Sequence, residues 1–290
     1  MRIQPEAISD LGAALVTHGT SKKGLDARTF VSFFGCSADR VIDIWECCNR
    51  PSQKIKHLLW ALFYMKLYLP EDVASIILGV CKPTLKKWTW LWIEAMALHS
   101  RDVILWENRN RNVPDNVWCK ISVDGTDFKV DEPFPFDPRW KSPKFKGGAL
   151  TYEVGISIYA GDIVWVSGPY RGAKHDVAMF RDKLKLMLDD DELVETDLGY
   201  KDPSCRNKDD YVDEEEKFEK QRIRARHETC NHRFKVWGIL KQQYRHDIEE
   251  HGLVFRAIAC IVQMEIDDGG VLFGCTTTTR KLPRGTYTLG

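Results

Sequence analysis

The chain has 290 residues and a formal charge of zero at pH 7, because 42 basic residues balance 42 acidic ones. A hydrophobic content of 43% suffices for a sizeable core, so we expect one large or two ordinary globular domains. The neutral balance excludes a protein drawn to nucleic acid or membrane by its overall charge. Any such affinity must come from local patches.

Cysteine usage and hydropathy indicate the compartment. The nine cysteines form no CxxC pair, which predicts reduced thiols in an intracellular protein. No apolar run approaches the roughly 20 residues of a membrane span. Residues 1–20 also lack the basic start and apolar core of a signal peptide. We therefore expect no membrane association.

The first hundred residues have helical patterning. Residues 1–30 are weakly patterned and are expected to be loosely ordered. Residues 38–48 predict an amphipathic helix that ends before Pro51, and residues 52–68 predict a second helix that ends before Pro70. We predict a helical N-terminal region over residues 1–117.

A helix-turn-helix layout is predicted over about residues 70–97. A short helix leads to a turn at Gly79, and a second helix starts at Pro83, a residue favoured in the first helical turn. The positive start of that helix suits phosphate contacts, with these side chains as candidate DNA ligands: Lys82, Thr84, Lys86 and Lys87. The alternative is an ordinary helical hairpin with solvated lysines.

Strand patterning begins near residue 118, where the second domain, residues 118–290, is predicted to start. Alternating apolar residues up to Val123 predict a strand that Gly125 ends. Asp124 would then lie at the carboxyl end of the strand, where α/β sheets bind ligands. The alternative is that Asp124 and Gly125 form a plain turn.

The following elements predict a hairpin, a helix and a further strand. Residues 151–159 and 163–167 alternate around Gly161, and Gly168 with Pro169 should end the second strand. Asp176 precedes an apolar-periodic helix over residues 177–188, so it is either the helix N-cap or a ligand. Residues 193–196 predict a strand that leads directly to Asp197.

This order of elements is that of a ribonuclease-H-like α/β fold, in which the first and fourth strands lie side by side. We therefore expect Asp124 and Asp197 at neighbouring strand ends. A long helix is predicted from Phe218 to Tyr244, and Arg224, Glu228 and Lys235 fall within about 40° of one another on it. They form either a metal-binding carboxylate between two phosphate-binding cations or a surface ion pair with a nearby lysine.

A zinc-protease motif is excluded. His227 and His232 are five residues apart, whereas that motif needs four. The extra residue turns the second imidazole about 140° away from the first.

Several motifs together carry a family resemblance. In chain order they are Val123-Asp124-Gly125-Thr126, Gly168-Pro169-Tyr170-Arg171-Gly172, His175-Asp176, Asp197-Leu198-Gly199-Tyr200, and Arg224 with Glu228 and Lys235. In this order they resemble DDE transposases of the PIF/Harbinger group, over roughly residues 55–275. The chain departs from the group at Gln221, where the helix motif has tyrosine.

The resemblance implies a ribonuclease-H-like DDE catalytic domain preceded by an all-α helix-turn-helix domain. It implies a catalytic triad of Asp124, Asp197 and Glu228, with Asp176 as a fourth metal ligand or a supporting acid. Carboxylate oxygens suit Mg²⁺ or Mn²⁺, and two such ions support in-line attack on phosphorus. Arg224 and Lys235 would hold the phosphates of the cleaved strand.

The implied activity is cleavage of transposon-end DNA followed by transfer of the 3′-hydroxyl to target DNA. The alternative is a domesticated, catalytically silent DNA-binding protein. Double-stranded DNA is the expected partner, together with a Myb/SANT-like protein and further copies of the chain on DNA. A nuclear location is implied by the same resemblance.

Overall fold

The computed structural model describes residues 3–20, 23–49, 52–115, 117–207, 210, 214–270 and 272–275. They fall into two compact units. The first comprises residues 1–103, 128–131 and 232–269, and the second comprises residues 104–127, 132–231 and 270–290. The sequence-based division near residue 117 assigned residues 232–269 to the second domain, whereas in the structure they pack with the N-terminal helices.

The first unit begins with two helices where loose order was expected. Helix α1 spans Pro5–Val16 and helix α2 spans Ala27–Phe34. Gly12 of α1 lets the two helices approach closely, since a Cβ atom there would lie 2.8 Å from the Phe30 ring. The expectation of loose order is therefore wrong for the described part of residues 1–30. Each helix buries only a few side chains, so the apolar pattern in the sequence was weak.

The next two helices follow the prediction. Helix α3 spans Ala38–Cys48, as predicted, and the Ser37 side chain caps it by accepting from the backbone of Arg40. Helix α4 spans Ile55–Leu67, and most of its side chains are buried. Its sequence is apolar on nearly every face, which is typical of a helix at the centre of a bundle.

The predicted helix–turn–helix segment consists of α5, Glu71–Ile77, and α6, Lys82–Val103. Gly79 in the turn has a φ of +61°, a left-handed conformation that favours glycine. Helix α6 extends past the predicted end of the segment at about residue 97, and it packs against α10, His251–Asp267. Trp92 on α6 is fully buried, with its ring centre 5.7 Å from that of Trp45.

The second unit is built on a mixed sheet, in which six strands are described. Its long strands are β1, Cys119–Lys129, β3, Gly147–Ser157, and β4, Ile163–Arg171; its short strands are β2, Lys141–Ser142, β5, Leu193–Glu195, and β6, Cys205–Arg206. The long strands run in the spatial order β4, β3, β1, followed by β5 and β6. Strands β3 and β4 are antiparallel, and β5 runs parallel to β1 and β6. The predicted adjacency of the first strand and the strand at 193–196 is confirmed.

Two strands continue past the residues predicted to end them. Gly125 lies within β1, which reaches Lys129, and Gly168 with Pro169 lies within β4, which reaches Arg171. Both strands pair with β3, and this pairing keeps β1 in the sheet past Gly125. On β4 the pairing is interrupted at Gly168, whose φ is +131°, and resumes at Tyr170. Asp124 is therefore in the body of β1 and not at its end.

Two helices are shorter than predicted at their C-terminal ends. Helix α7 spans Asp176–Asp182, followed by a 3-10 turn over Leu184–Met187. Helix α8 spans Glu214–Lys235, and a separate short helix, α9, spans Gly238–Lys241. Residues 276–290 lie outside the described part of the chain.

The fold is thus mixed α/β, with a mixed sheet and many helices, in agreement with the predicted class. The sheet packs around apolar side chains from β1, β4, β5 and α7. In the described residues, none of the helices combines the length and the apolar composition needed to cross a bilayer.

Candidate metal centre

Asp124 and Asp197 are brought together by the register of two adjacent parallel strands. Ser122 of β1 is paired with Glu195 of β5. Asp124 and Asp197 each lie two residues beyond this pair, so the same register puts them side by side on the two neighbouring segments. Asp124 is half-buried, whereas Asp197 is exposed.

Asp176 joins them from the first residue of α7. His175 is the N-cap of this helix, so the interpretation of Asp176 as a simple cap is wrong. Its Oδ1 atom lies 2.7 Å from the position that a Cβ atom would take on Gly125, and its Oδ2 atom lies 3.0 Å from the equivalent position on Gly199. The two glycines therefore leave the space that the Asp176 carboxylate occupies.

The three carboxylates influence one another electrostatically. Burial, and then the charge of Asp197, raise the pKa of Asp124 to about 6. Burial raises the pKa of Asp176 to about 6 as well, with further contributions from Asp197 and Asp124. Like charges held close together in a partly dry site favour protonation, and a bound cation would reverse this preference.

The donor set fits a hard divalent cation. All three side chains offer carboxylate oxygens, which are the ligands that Mg²⁺ and Mn²⁺ prefer. As they stand, however, no three His, Cys, Asp or Glu side chains in the described residues lie close enough together to hold a metal ion. The arrangement is therefore a cluster of mutually repelling acids with the right chemistry but without a closed coordination sphere.

Helix α8 presents a different side chain to this cluster from the one predicted. Glu228 is 70% exposed, and its charged partner is Arg224, whose Nε atom lies 3.6 Å from Glu228 Oε1. The side chain that contacts the cluster is Asn231, one turn further along, which donates a hydrogen bond to Asp124 Oδ2 at 3.3 Å. The Arg224 charge also acts on Asp124 and lowers its pKa against the effect of burial.

Another residue of α8 explains which face of the helix is turned toward the sheet. His227 is buried, and its Nε2 atom lies 2.8 Å from the hydroxyl of Ser122 on β1. Burial lowers the pKa of His227 to about 3, so the ring is neutral. Because Glu228 follows His227 directly, its side chain points about 100° away from this buried contact.

The predicted DNA ligands of the first unit differ in their availability. Lys82 is engaged with Asp72 at 3.2 Å and Glu71 at 3.7 Å, and the Thr84 hydroxyl contacts the Cys81 sulfur at 3.0 Å. Lys86 and Lys87 are exposed on α6. Within the described residues neither forms an ion pair with a carboxylate, and the Nζ atom of Lys87 lies 5.2 Å from the centre of the Trp88 ring.

Lys235 lies in a different environment from that predicted. It belongs to the first unit, where its Nζ atom is 5.6 Å from the centre of the Phe128 ring. Its side chain is half-buried, whereas Arg224 is 74% exposed. The shared helical face predicted for Arg224, Glu228 and Lys235 thus has an exposed ion pair at one end and an aromatic contact at the other.

Three residues near the cluster were not identified from the sequence. Asp127 accepts hydrogen bonds from Ser142 at 2.5 Å and Thr151 at 2.9 Å. Glu153 is fully buried on β3, and burial raises its pKa to about 7. Asn231 is the third. Asp127 lies three residues after Asp124 on β1, a spacing that does not put the two side chains on one face of a strand, so the sequence pattern did not pair them. A single Glu or Asn gives no pattern to detect.

Comparison of the chain with protein-family models, with curated proteins and with solved structures gave no match to any of them.

Proposed function

We propose that this chain is a DNA nuclease or transposase of the DDE type, built on a ribonuclease-H-like sheet, that cleaves phosphodiester bonds with divalent metal ions. The observation that carries the proposal is the approach of Asp124, Asp176 and Asp197: burial, and then the charge of Asp197, raise the pKa of both Asp124 and Asp176. The family resemblance of the sequence motifs points to the same residues.

The sheet order supports this choice. The strands run β4, β3, β1, β5, β6, with β1 and β5 parallel, and the acids come from the two central neighbours. Carboxylates on adjacent parallel strands can approach a single ligand, whereas acids scattered over a surface cannot. In this proposal Asp124 and Asp197 would hold Mg²⁺ or Mn²⁺, and the bound metal would supply Lewis-acid chemistry at phosphorus.

Glu228 completes the proposed triad by a change of side-chain conformation. Its present partner, Arg224, is exposed, and an exposed pair of this kind contributes only a few tenths of a kcal/mol. Little free energy therefore opposes a rotation toward the cluster. Arg224, once released from Glu228, is placed to bind a phosphate of the cleaved strand.

Duplex DNA is the proposed partner of α5 and α6. The exposed Lys86 and Lys87 lie in the first turns of α6, where the helix dipole adds to their positive charge. The family resemblance adds a Myb/SANT-like partner, further copies of the chain on DNA and a nuclear location to this proposal.

A second function, DNA binding without cutting, is favoured by the arrangement of the acids. Glu228 faces solvent, and the acids do not form a closed coordination sphere. A transposase-derived protein that binds DNA without cutting it would have the same features. Both functions predict duplex binding, so cutting is the property that separates them.

The test is a plasmid-nicking assay in Mg²⁺ and in Mn²⁺. We expect the parental protein to nick supercoiled DNA and Asp197→Asn to abolish nicking while binding duplex DNA normally. Asp190→Asn is the matched control, because Asp190 is an exposed acid in the same segment, outside the cluster. Nicking by Asp197→Asn at the parental rate would overturn the assignment, and intact binding without parental nicking would favour the silent DNA-binding protein.

A further inference from the structure

Two phenylalanine rings project into solvent from the loop that follows β1. Phe134 is 101% exposed and Phe136 is 60% exposed. Burying a phenylalanine ring is favourable, so two neighbouring exposed rings are an unusual arrangement for a folded chain. We name residues 133–137 of this loop the phenylalanine loop.

Prolines keep these rings exposed. Pro133, Pro135 and Pro138 alternate with the phenylalanines and with Asp137. Each proline ring fixes its own φ angle and restricts the residue before it to extended conformations. The segment therefore cannot fold back easily to bury its aromatic side chains, and the rings stay available to a partner.

The surroundings of the loop are basic. Three lysines on β2 and the turn after it are exposed: Lys141, Lys144 and Lys146. Within residues 132–146, none of them forms an ion pair with a carboxylate. The Asp137 charge is neutralised by Arg139 at 2.8 Å and by Arg171 at 3.6 Å. Within residues 132–146, the other carboxylate is that of the exposed Glu132, so the three lysines give this segment a positive surface.

This basic surface is tied to the candidate metal centre. The hydroxyl of Ser142 donates to Asp127 at 2.5 Å and accepts a hydrogen bond from the backbone of Lys144 at 3.1 Å. The turn that carries Lys144 is thereby fixed to β1 three residues beyond Asp124.

We propose that Phe134 and Phe136 stack on unpaired bases of a DNA strand whose phosphates follow Lys141, Lys144 and Lys146 toward the aspartate cluster. The inference rests on the proposed function and names the form of DNA that the site takes. Exposed aromatic rings beside a row of cations are the features by which proteins bind single strands, since every base has a flat face. Paired bases inside a duplex offer no such face, so the occupant is an overhang or an opened strand end.

A protein partner fits the surface less well. The cores of protein–protein interfaces are depleted in lysine, because burying an unpaired ammonium group is costly. Among the residues that the structure describes, Lys141, Lys144 and Lys146 form no ion pair with a carboxylate, and they follow the phenylalanine loop closely in the chain. A second copy of the chain on this face is therefore an outcome that the experiment must distinguish.

The experiment measures binding without cutting. Equilibrium affinities are determined in EDTA for a blunt duplex and for the same duplex with a single-stranded overhang. The double variant Phe134→Ala/Phe136→Ala should lose at least about 30-fold in affinity for the overhang DNA, since each stacked base contributes about 5-fold or more, with blunt-duplex affinity unchanged. Phe134→Trp/Phe136→Trp, which keeps flat rings, should retain overhang affinity. Phe218→Ala is the control, since Phe218 is a 59% exposed ring on α8.

The outcomes separate this inference from the proposed function. Equal affinity of parental and alanine variants for the overhang DNA overturns it, as does an equal loss on both DNAs. A change from dimer to monomer with unaltered DNA affinity also overturns it and assigns the face to contact between copies. Because no metal is present, selective loss on the overhang supports the inference even if the nicking assay shows no cutting. If the protein nicks plasmid but the alanine variant binds overhang DNA as well as the parental protein does, the nuclease proposal is supported and the stacking proposal is overturned.

Discussion

The side-chain amide of Asn231 on α8 donates a hydrogen bond to Asp124 Oδ2 on β1, with 3.3 Å between the two atoms. A donor at this position favours the ionised form of Asp124, which is the form that binds a cation. The long helix thus supports the acidic cluster through an amide, three residues after the carboxylate that the family resemblance assigns.

Asn231→Ala should weaken Mn²⁺ binding about tenfold, because outer residues that hydrogen-bond to metal ligands typically contribute this much. The pH midpoint of Mn²⁺ binding should also move upward, since Asp124 loses a donor that opposes protonation. Isothermal titration with Mn²⁺ at several pH values measures both effects. Asn110→Ala, at an exposed asparagine in the same unit, is the control. An unchanged titration curve would contradict this role for Asn231.

Glu228→Gln should lower the rate of metal-dependent DNA cleavage by at least about 100-fold, because loss of a metal-binding charge removes several kcal/mol of transition-state stabilisation. Duplex binding in EDTA should be unaffected. If Glu228 only pairs with Arg224, the substitution changes stability by a few tenths of a kcal/mol and cleavage continues. Cleavage rates and urea unfolding of the same preparations distinguish these results.

Asp124→Asn should make the metal-free protein more stable at pH 8. The unfolded carboxyl has a pKa near 3.8, and the folded one has a pKa of about 6. The folded state therefore holds the extra proton between these values, and stability falls as pH rises through that window. Asparagine removes a penalty on the order of 2–3 kcal/mol, and the difference should vanish near pH 4.

Thermal unfolding in EDTA and in Mg²⁺ measures this effect. Mg²⁺ should raise the Tm of the parental protein and leave that of Asp124→Asn nearly unchanged, because a ligand stabilises only the state that binds it. Asp190→Asn should follow the parental protein in both buffers. Equal stabilisation of parental protein and Asp124→Asn by Mg²⁺ would be evidence against a metal site at Asp124.

Glu153→Gln should stabilise the protein at pH 8 independently of metal. Glu153 is buried with a pKa of about 7; Trp165 donates to its Oε2 atom at 2.9 Å, and its Oε1 atom has no hydrogen-bond partner. An uncharged amide keeps the Trp165 bond and avoids the buried charge. Because the folded pKa is raised, the gain should appear as pH increases from about 4.5 to 7. Urea unfolding at pH 4.5 and pH 8 tests this, and an equal effect at both values would contradict it.

Lys86→Ala/Lys87→Ala should weaken binding to duplex DNA of any sequence. If both lysines contact phosphates, the slope of log K against log salt should decrease by about 2, since each contact contributes about 0.9. Lys241→Ala, at another exposed lysine of the first unit, is the control. Fluorescence anisotropy at several salt concentrations gives the slope, and an unchanged slope would remove these lysines from the DNA-binding surface.

Local patterns in the sequence were enough to predict several elements. Helix α3 has its predicted bounds because Ser37 caps its start and Asn49-Arg50-Pro51 follows its end. The hairpin formed around Gly161, and the strand at 193–195 lies beside β1 as expected. Each of these depends on nearby residues or on a short-range alternation of apolar and polar side chains.

The sequence by itself determined which acids are candidates for the centre, because Asp124, Asp176 and Asp197 each stand at a recognisable place beside a strand or helix. Only the tertiary structure decided that β1 continues through Gly125, that Glu228 faces solvent and that Asn231 faces Asp124. The physical reason is that neighbouring strands hold a glycine extended and that packing against the sheet sets the rotation of α8. Neither effect is encoded in the spacing of residues along the chain.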